Sequence, residues 1–127
     1  MRHLESSLQI HCVRWFRYEH PDLVLFSIPN GGKRSAITAK IMKAEGQMSG
    51  VADLFLMYPH HGYHGLWIEM KTDKGRQSDN QKHFQERAEF FGYKYTIAHS
   101  FDEFMKIVTV YLKLGTVVYF RELVVLI

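Results

Sequence analysis

The sequence predicts an α/β domain in which a mixed β-sheet is flanked by helices. Three observations carry that reading. Four segments repeat apolar residues at helical spacing. Short β-branched or aromatic runs fall between them. Glycine, proline or a capping serine punctuates nearly every join. The order along the chain is α-β-α-β-β-α-β-α, with an extra C-terminal strand.

The first helix spans 3–19, where Leu4, Leu8, Cys12, Trp15 and Phe16 share one face, and His20-Pro21-Asp22 ends it. "LVLFSI" (23–28) reads as a strand and "PNGGKR" as a turn. A second helix covers 35–45, with Ser35 as N-cap and Gly46 as its stop. "VADLFLMY" and "LWIEMKT" are strands turned back on each other by "PHHGYHG", giving a hairpin of two central strands. The histidines of that turn are read as polar residues of an exposed hairpin tip rather than zinc ligands, because no cysteine lies nearby. After the polar loop "DKGRQ", a helix opens at Ser78 and runs to Phe91, closed by Gly92. "YKYTIA" is a further strand, and Ser100 with Glu103 forms a capping box for a helix over 101–113. The tail "TVVYFRELVVLI" reads as one strand, packed on the core or at a dimer interface.

The 127 residues suit one domain, and 46% hydrophobic content supplies a core, which excludes a disordered chain. No apolar run approaches the roughly 20 residues of a membrane span, and "MRHLESSLQIHC" lacks the apolar heart of a signal peptide. Cys12 is the single cysteine, which excludes an internal disulfide framework and suits a reducing cytoplasm. The formal net charge of +3 is compatible with a polyanionic partner.

The chemistry centres on "GLWIEMKTDKG". Strand alternation puts Glu69 and Lys71 on one face. Asp53 stands near the start of the preceding strand, and a hairpin centred near residue 61 brings it beside Glu69. Two carboxylates about 4 Å apart repel by about 4 kcal/mol at an effective dielectric near 20. A divalent cation with oxygen ligands, Mg²⁺ or Mn²⁺, offsets that repulsion, and the Met70 backbone carbonyl offers a further oxygen. Lys71 is then placed to orient a water or stabilise a charged phosphoryl group.

Asp53 followed by Glu69-Met70-Lys71 resembles the Asp…(Asp/Glu)-x-Lys signature of the PD-(D/E)XK, restriction-endonuclease-like nucleases. The surroundings "SIPNGGKR", "GQMSGVADLFL", "LWIEMKTDKGRQSDNQ" and "GYKYTIAHSFDEF" come in the order and spacing of the VRR-NUC (virus-type replication-repair nuclease) branch, and "LESSLQ" fits its early helix. The resemblance covers roughly 4–113 and departs at Ala52, where many relatives carry proline. It implies a restriction-endonuclease-like core, with a nuclease domain over 1–114 and a tail over 115–127.

The resemblance also implies roles. Glu5, which spacing alone reads as an acid suited to a helix start, reaches the metal site directly or through water, supported by Gln9. Gln81, the N3 residue of a capping box with Ser78, joins the active site. Asn30, Gly31 and Gly32 bring backbone amides to phosphate, next to Lys33 and Arg34, and Lys74 and Arg76 extend the basic surface.

The expected activity is Mg²⁺- or Mn²⁺-dependent DNA endonuclease action. Branched DNA is the expected substrate, above all the Holliday junction of recombination and repair, cut by a homodimer in a bacterial or phage-infected cell. A flap nuclease, a site-specific restriction activity and a non-catalytic branched-DNA-binding module are the alternatives.

Overall fold

Side chains on the two faces of one central strand organise the molecule. The computed structural model describes residues 2–29, 34–115, 117–120 and 123–126. The elements are α1 (Arg2–Glu19), β1 (Leu25–Ser27), α2 (Ala36–Ala44), β2 (Leu54–Leu56), β3 (Leu66–Met70), α3 (Asp79–Phe90), β4 (Lys94–Ala98), α4 (Phe101–Lys113), β5 (Val117–Phe120) and β6 (Leu123–Leu126). The main sheet has the order β1-β2-β3-β4. The first two pairings are antiparallel, forming the expected central hairpin, and β3 runs parallel to β4 after the α3 crossover.

Alternation along β3 sorts the layers. Leu66, Ile68 and Met70 point into the main core, where Cys12 and Phe16 of α1 meet Phe104 and Val108 of α4. Trp67 points the other way, toward α3, and meets the ring of Phe84 edge-on at 5.0 Å between centroids. Cys12 is a packing residue, as its helical position implies, and burial pushes its thiol up to about 11.

The caps hold three helices in register. Ser35 Oγ accepts the Thr38 N–H at 3.1 Å, and Ser78 forms a reciprocal box with Gln81. At α4, Ser100 accepts the Glu103 N–H as expected, but the Glu103 carboxylate reaches back to the N–H of His99 at 3.1 Å. The β2–β3 turn is tied down: His60 Nε2 lies 2.7 Å from the Leu114 carbonyl oxygen, and Tyr111 donates to the Tyr58 carbonyl at 2.6 Å. His60 is thus engaged within the fold, a role the sequence reading does not give it.

Two corrections follow. The strands are shorter than the apolar runs, since β2 keeps only three residues of "VADLFLMY". The tail is not one strand. Two apolar tetrads lie either side of Arg121-Glu122, and β5 pairs with β6 antiparallel in a sheet of its own, Phe120 opposite Leu123.

The segment between β1 and β2 also stands apart. Helix α2 buries none of its residues. Its base is closed by Gln47, whose carbonyl accepts from Arg34 at 2.7 Å and whose amide donates to the Pro29 carbonyl at 3.4 Å. Beyond it, Gly50 has φ +90°, and a Cβ there would meet the backbone carbonyl of Asn80 at 2.5 Å. Gly46 has φ +113° with open space around it.

Both glycines therefore resist alanine, for different reasons. Gly46→Ala is expected to cost about 1–2 kcal/mol in backbone strain. Gly50→Ala is expected to cost roughly 3 kcal/mol or more, because the start of α3 must also move. Urea unfolding of both variants checks this, and equal costs would mean that the close approach to Asn80 does not constrain the fold.

Candidate active site

The ladder between β2 and β3 ends at Leu54 opposite Ile68. One step further sets Asp53 opposite Glu69. Here a side chain replaces the backbone: Oδ2 of Asp53 accepts the Met70 N–H at 2.7 Å. The Asp53 carbonyl meanwhile accepts the Ile28 N–H at 3.0 Å. Asp53 is therefore anchored to both neighbouring chain segments where the strands part. Met70 meets it through its N–H, a contact absent from the sequence reading, which looked to the Met70 carbonyl.

Glu69 is fully buried on the α3 side of β3. Tyr95 donates its hydroxyl to Oε1 in a short hydrogen bond, and the Gln77 amide reaches the same oxygen at 3.5 Å. Gln77 is itself held by Gln85 Oε1 at 2.8 Å and lies 3.3 Å from the Tyr95 hydroxyl. The other oxygen, Oε2, is buried without a hydrogen-bond partner. Nζ of Lys71, whose side chain is only 14% exposed, stands 3.9 Å from it. Gly75 gives the lysine stem room, since a Cβ there would come within 3.2 Å of Lys71 Cδ.

Asp53 feels its neighbours. Burial raises its pKa most, and the charges of Glu69 and Glu5 raise it further, against the Met70 N–H and the Lys71 ammonium, which lower it. Glu5 stands in the first turn of α1. Together with Gln9 and Asp53 it lines a groove of about 690 Å³ between α1 and β1. Glu69 and Lys71 do not line that groove. The structure thus brings Asp53, Glu69, Lys71 and Glu5 into one electrostatic neighbourhood, with the Glu69–Lys71 pair covered.

The Gln81 side-chain oxygen accepts the Ser78 N–H at 2.8 Å, as the capping box requires. Lys74 and Arg76 are exposed on the β3–α3 loop. Arg34 is bound to Gln47, and Asn30, Gly31, Gly32 and Lys33 lie outside the described residues.

A family model described as the VRR-NUC domain matches residues 2–102. The chain belongs to the VRR-NUC family. This is a family of nucleases, and the match takes in every element from α1 to the first turn of α4. A solved structure described as a VRR_NUC domain protein is similar to this VRR-NUC chain with a TM-score of 0.72 and 22% identity, over 86% of this chain and 88% of that one. At that identity the likeness speaks to the fold. A search of curated proteins found no match.

Two residues of this VRR-NUC site escape the sequence reading, Gln77 and Tyr95. Tyr95 sits on β4 opposite Trp67, so it becomes a neighbour of Glu69 only once β4 is known to pair with β3. Gln77 and Gln81 both follow the Glu-x-Lys strand, and it is Gln77 that touches Glu69.

The donors fit a hard cation in a limited way. Among the described residues no three His, Cys, Asp or Glu side chains are gathered closely enough to hold one metal ion. Oε2 of Glu69, which has no hydrogen-bond partner, and the partly buried carboxylate of Asp53 are the oxygens on offer. One or two carboxylates plus water is the binding habit of Mg²⁺.

Two outcomes are expected. Tyr95→Phe leaves Oε1 of Glu69 with only the longer Gln77 contact, so it should lose about 2 kcal/mol of stability in urea unfolding. No loss would show that Tyr95 does not hold the carboxylate. The second concerns pH. The folded pKa of Asp53 is raised, so its contribution to stability is full below the ordinary carboxylate range and is lost as pH rises through the folded value. In EDTA, Asp53→Asn, which keeps an oxygen for Met70, should raise Tm by a few degrees at about pH 8. The gain should vanish below about pH 4. A gain independent of pH would remove Asp53 ionisation as its cause.

Proposed function

We propose that this chain is a Mg²⁺- or Mn²⁺-dependent, structure-specific DNA endonuclease that hydrolyses phosphodiester bonds in branched DNA, with the four-way junction as its main substrate and a homodimer as its working form. The observation that carries the reading is the buried Oε2 of Glu69, without a hydrogen-bond partner, 3.9 Å from the Lys71 ammonium and near an Asp53 carboxylate that burial, with the charges of Glu69 and Glu5, pushes toward protonation. Uncompensated buried charge is costly, and a cation is the simplest compensation.

Asp53 and Glu69 would hold the cation, with Glu5 reaching it from α1 directly or through water. When bound, the cation activates water and offsets charge on a phosphoryl oxygen. The chain's own residues do the rest. Tyr95 and Gln77 fix Oε1 of Glu69 and so determine which oxygen remains free. Lys71 holds a positive charge where negative charge grows on the phosphate. Its enclosure strengthens that interaction by keeping water away.

Branched DNA is proposed over a cognate duplex site because the contacts argued for this surface are to phosphate, which position a strand without reading its sequence. A two-fold dimer presents two sites to two strands. The apolar tail, with its own two-stranded sheet, is the proposed contact between copies. A bacterial or phage-infected cytoplasm is the proposed setting. Among the described residues no helix is long and apolar enough to cross a membrane.

The test uses linear duplex, flapped and four-way DNAs with Mg²⁺, Mn²⁺ or EDTA. Junction cleavage that disappears in EDTA and in Asp53→Ala is the expected result. Binding with no cut product under any metal would favour a branched-DNA-binding module. Discrete cuts in linear duplex would favour a restriction activity, and preference for flaps would change the substrate. Lys71→Ala should bind DNA normally and turn over about 100-fold more slowly or worse, and full activity in that variant would remove the lysine from the mechanism.

A further inference from the structure

Most of the groove between α1 and β1 lies away from the carboxylates. Its helical wall carries two neighbouring rows. Glu5, Gln9 and Val13 form one, and Ile10, Arg14 and Arg17 belong to the next. The facing wall is β1, the edge strand of the main sheet. The two ends differ in charge. Glu5 and Asp53 mark one end, and Arg14 and Arg17 mark the other.

At 1.5 Å per helical residue, Arg14 lies about 13 Å and Arg17 about 18 Å along α1 from Glu5. Both arginines are exposed, and neither forms an ion pair among the described residues. Both guanidinium groups are therefore available to an anion from outside the chain. Between the ends, Ile10 and Val13 give the groove an apolar floor.

We propose that this groove binds the sugar–phosphate backbone of the DNA strand on one side of the cleaved bond, with Arg14 and Arg17 on phosphates about two and three nucleotides away from it. The spacing follows from neighbouring phosphates along one strand standing about 7 Å apart, roughly twice the ~3.4 Å axial rise per nucleotide. The inference rests on the nuclease reading above. Its physical basis is complementarity along the groove. The acidic end accepts a phosphate only with a cation present, while the arginine end attracts phosphate unaided. The guanidinium fork matches two phosphate oxygens at once. Such contacts set the register of the strand and read no sequence.

The test is binding of a fluorescent four-way junction in EDTA, read by anisotropy over a series of salt concentrations. Arg14→Ala with Arg17→Ala should bind at least about tenfold more weakly, and its plot of log K against log[salt] should be shallower by about 1.8, the loss of two duplex phosphate contacts. Arg14→Lys with Arg17→Lys should keep the slope. Both substitutions are on exposed positions, and unchanged Tm would verify the fold. Junctions with single methylphosphonates, which neutralise one phosphate each, then locate the contact. Wild type should lose affinity when phosphates about two and three nucleotides from the mapped cut are neutralised, and the alanine double variant should not. If no DNA is cut, the nuclease reading fails, yet the scan still decides the groove. A contiguous window of phosphates that matters only to wild type supports it. Unchanged affinity and slope in the alanine double variant, or penalties that persist in it at every phosphate, overturn the assignment even where cleavage is strong.

Discussion

A carboxylate without solvent, on a strand with neighbours on both edges and helices over both faces, is the constraint around which this molecule is arranged. Glu69 occupies that position in β3. Burial of an unpaired charge costs several kcal/mol, and the compensation here is one-sided. Tyr95 and Gln77 serve Oε1, while Oε2 has only a lysine at 3.9 Å. The chain of contacts continues through Gln85, so the position of α3 is tied to the orientation of one side chain on the sheet.

Asp53 solves a second problem with the same economy. Its carbonyl engages Ile28, beyond β1, and its side chain takes the Met70 N–H of β3. The strands can therefore part without leaving that amide unpaired. The parting is what gives the groove access to a sheet that is otherwise closed. The raised pKa of Asp53 reports the cost of burying its carboxylate, with the nearby charges of Glu69 and Glu5 adding to it, a form of instability that functional sites commonly retain.

Local patterns made much of this readable in advance. Helical spacing on α1, the serine caps and the Gly-rich turns defined the helices because each depends on residues close in sequence. Hairpin symmetry about residue 61 placed Asp53 opposite Glu69, which the Leu54–Ile68 pairing extends to. Tyr95 was not readable, since its approach to Glu69 depends on parallel pairing across the α3 crossover, a long-range choice. Gln77 was hidden by Gln81, whose capping signature is the stronger local signal. The tail misled because an apolar run has no periodicity to mark its division, and only the Arg121-Glu122 pair hints at two strands. The groove arginines looked like an ordinary solvated helix face until β1 was placed opposite them.

Helix α2 has a different consequence. It buries nothing, its base is latched by Gln47, and both of its flanking strands end at the site. The core therefore places almost no demand on the identity of residues 36–44. Drift there is cheap for the fold. For the protein engineer the helix is an exchangeable cassette, open to grafting without repacking the interior.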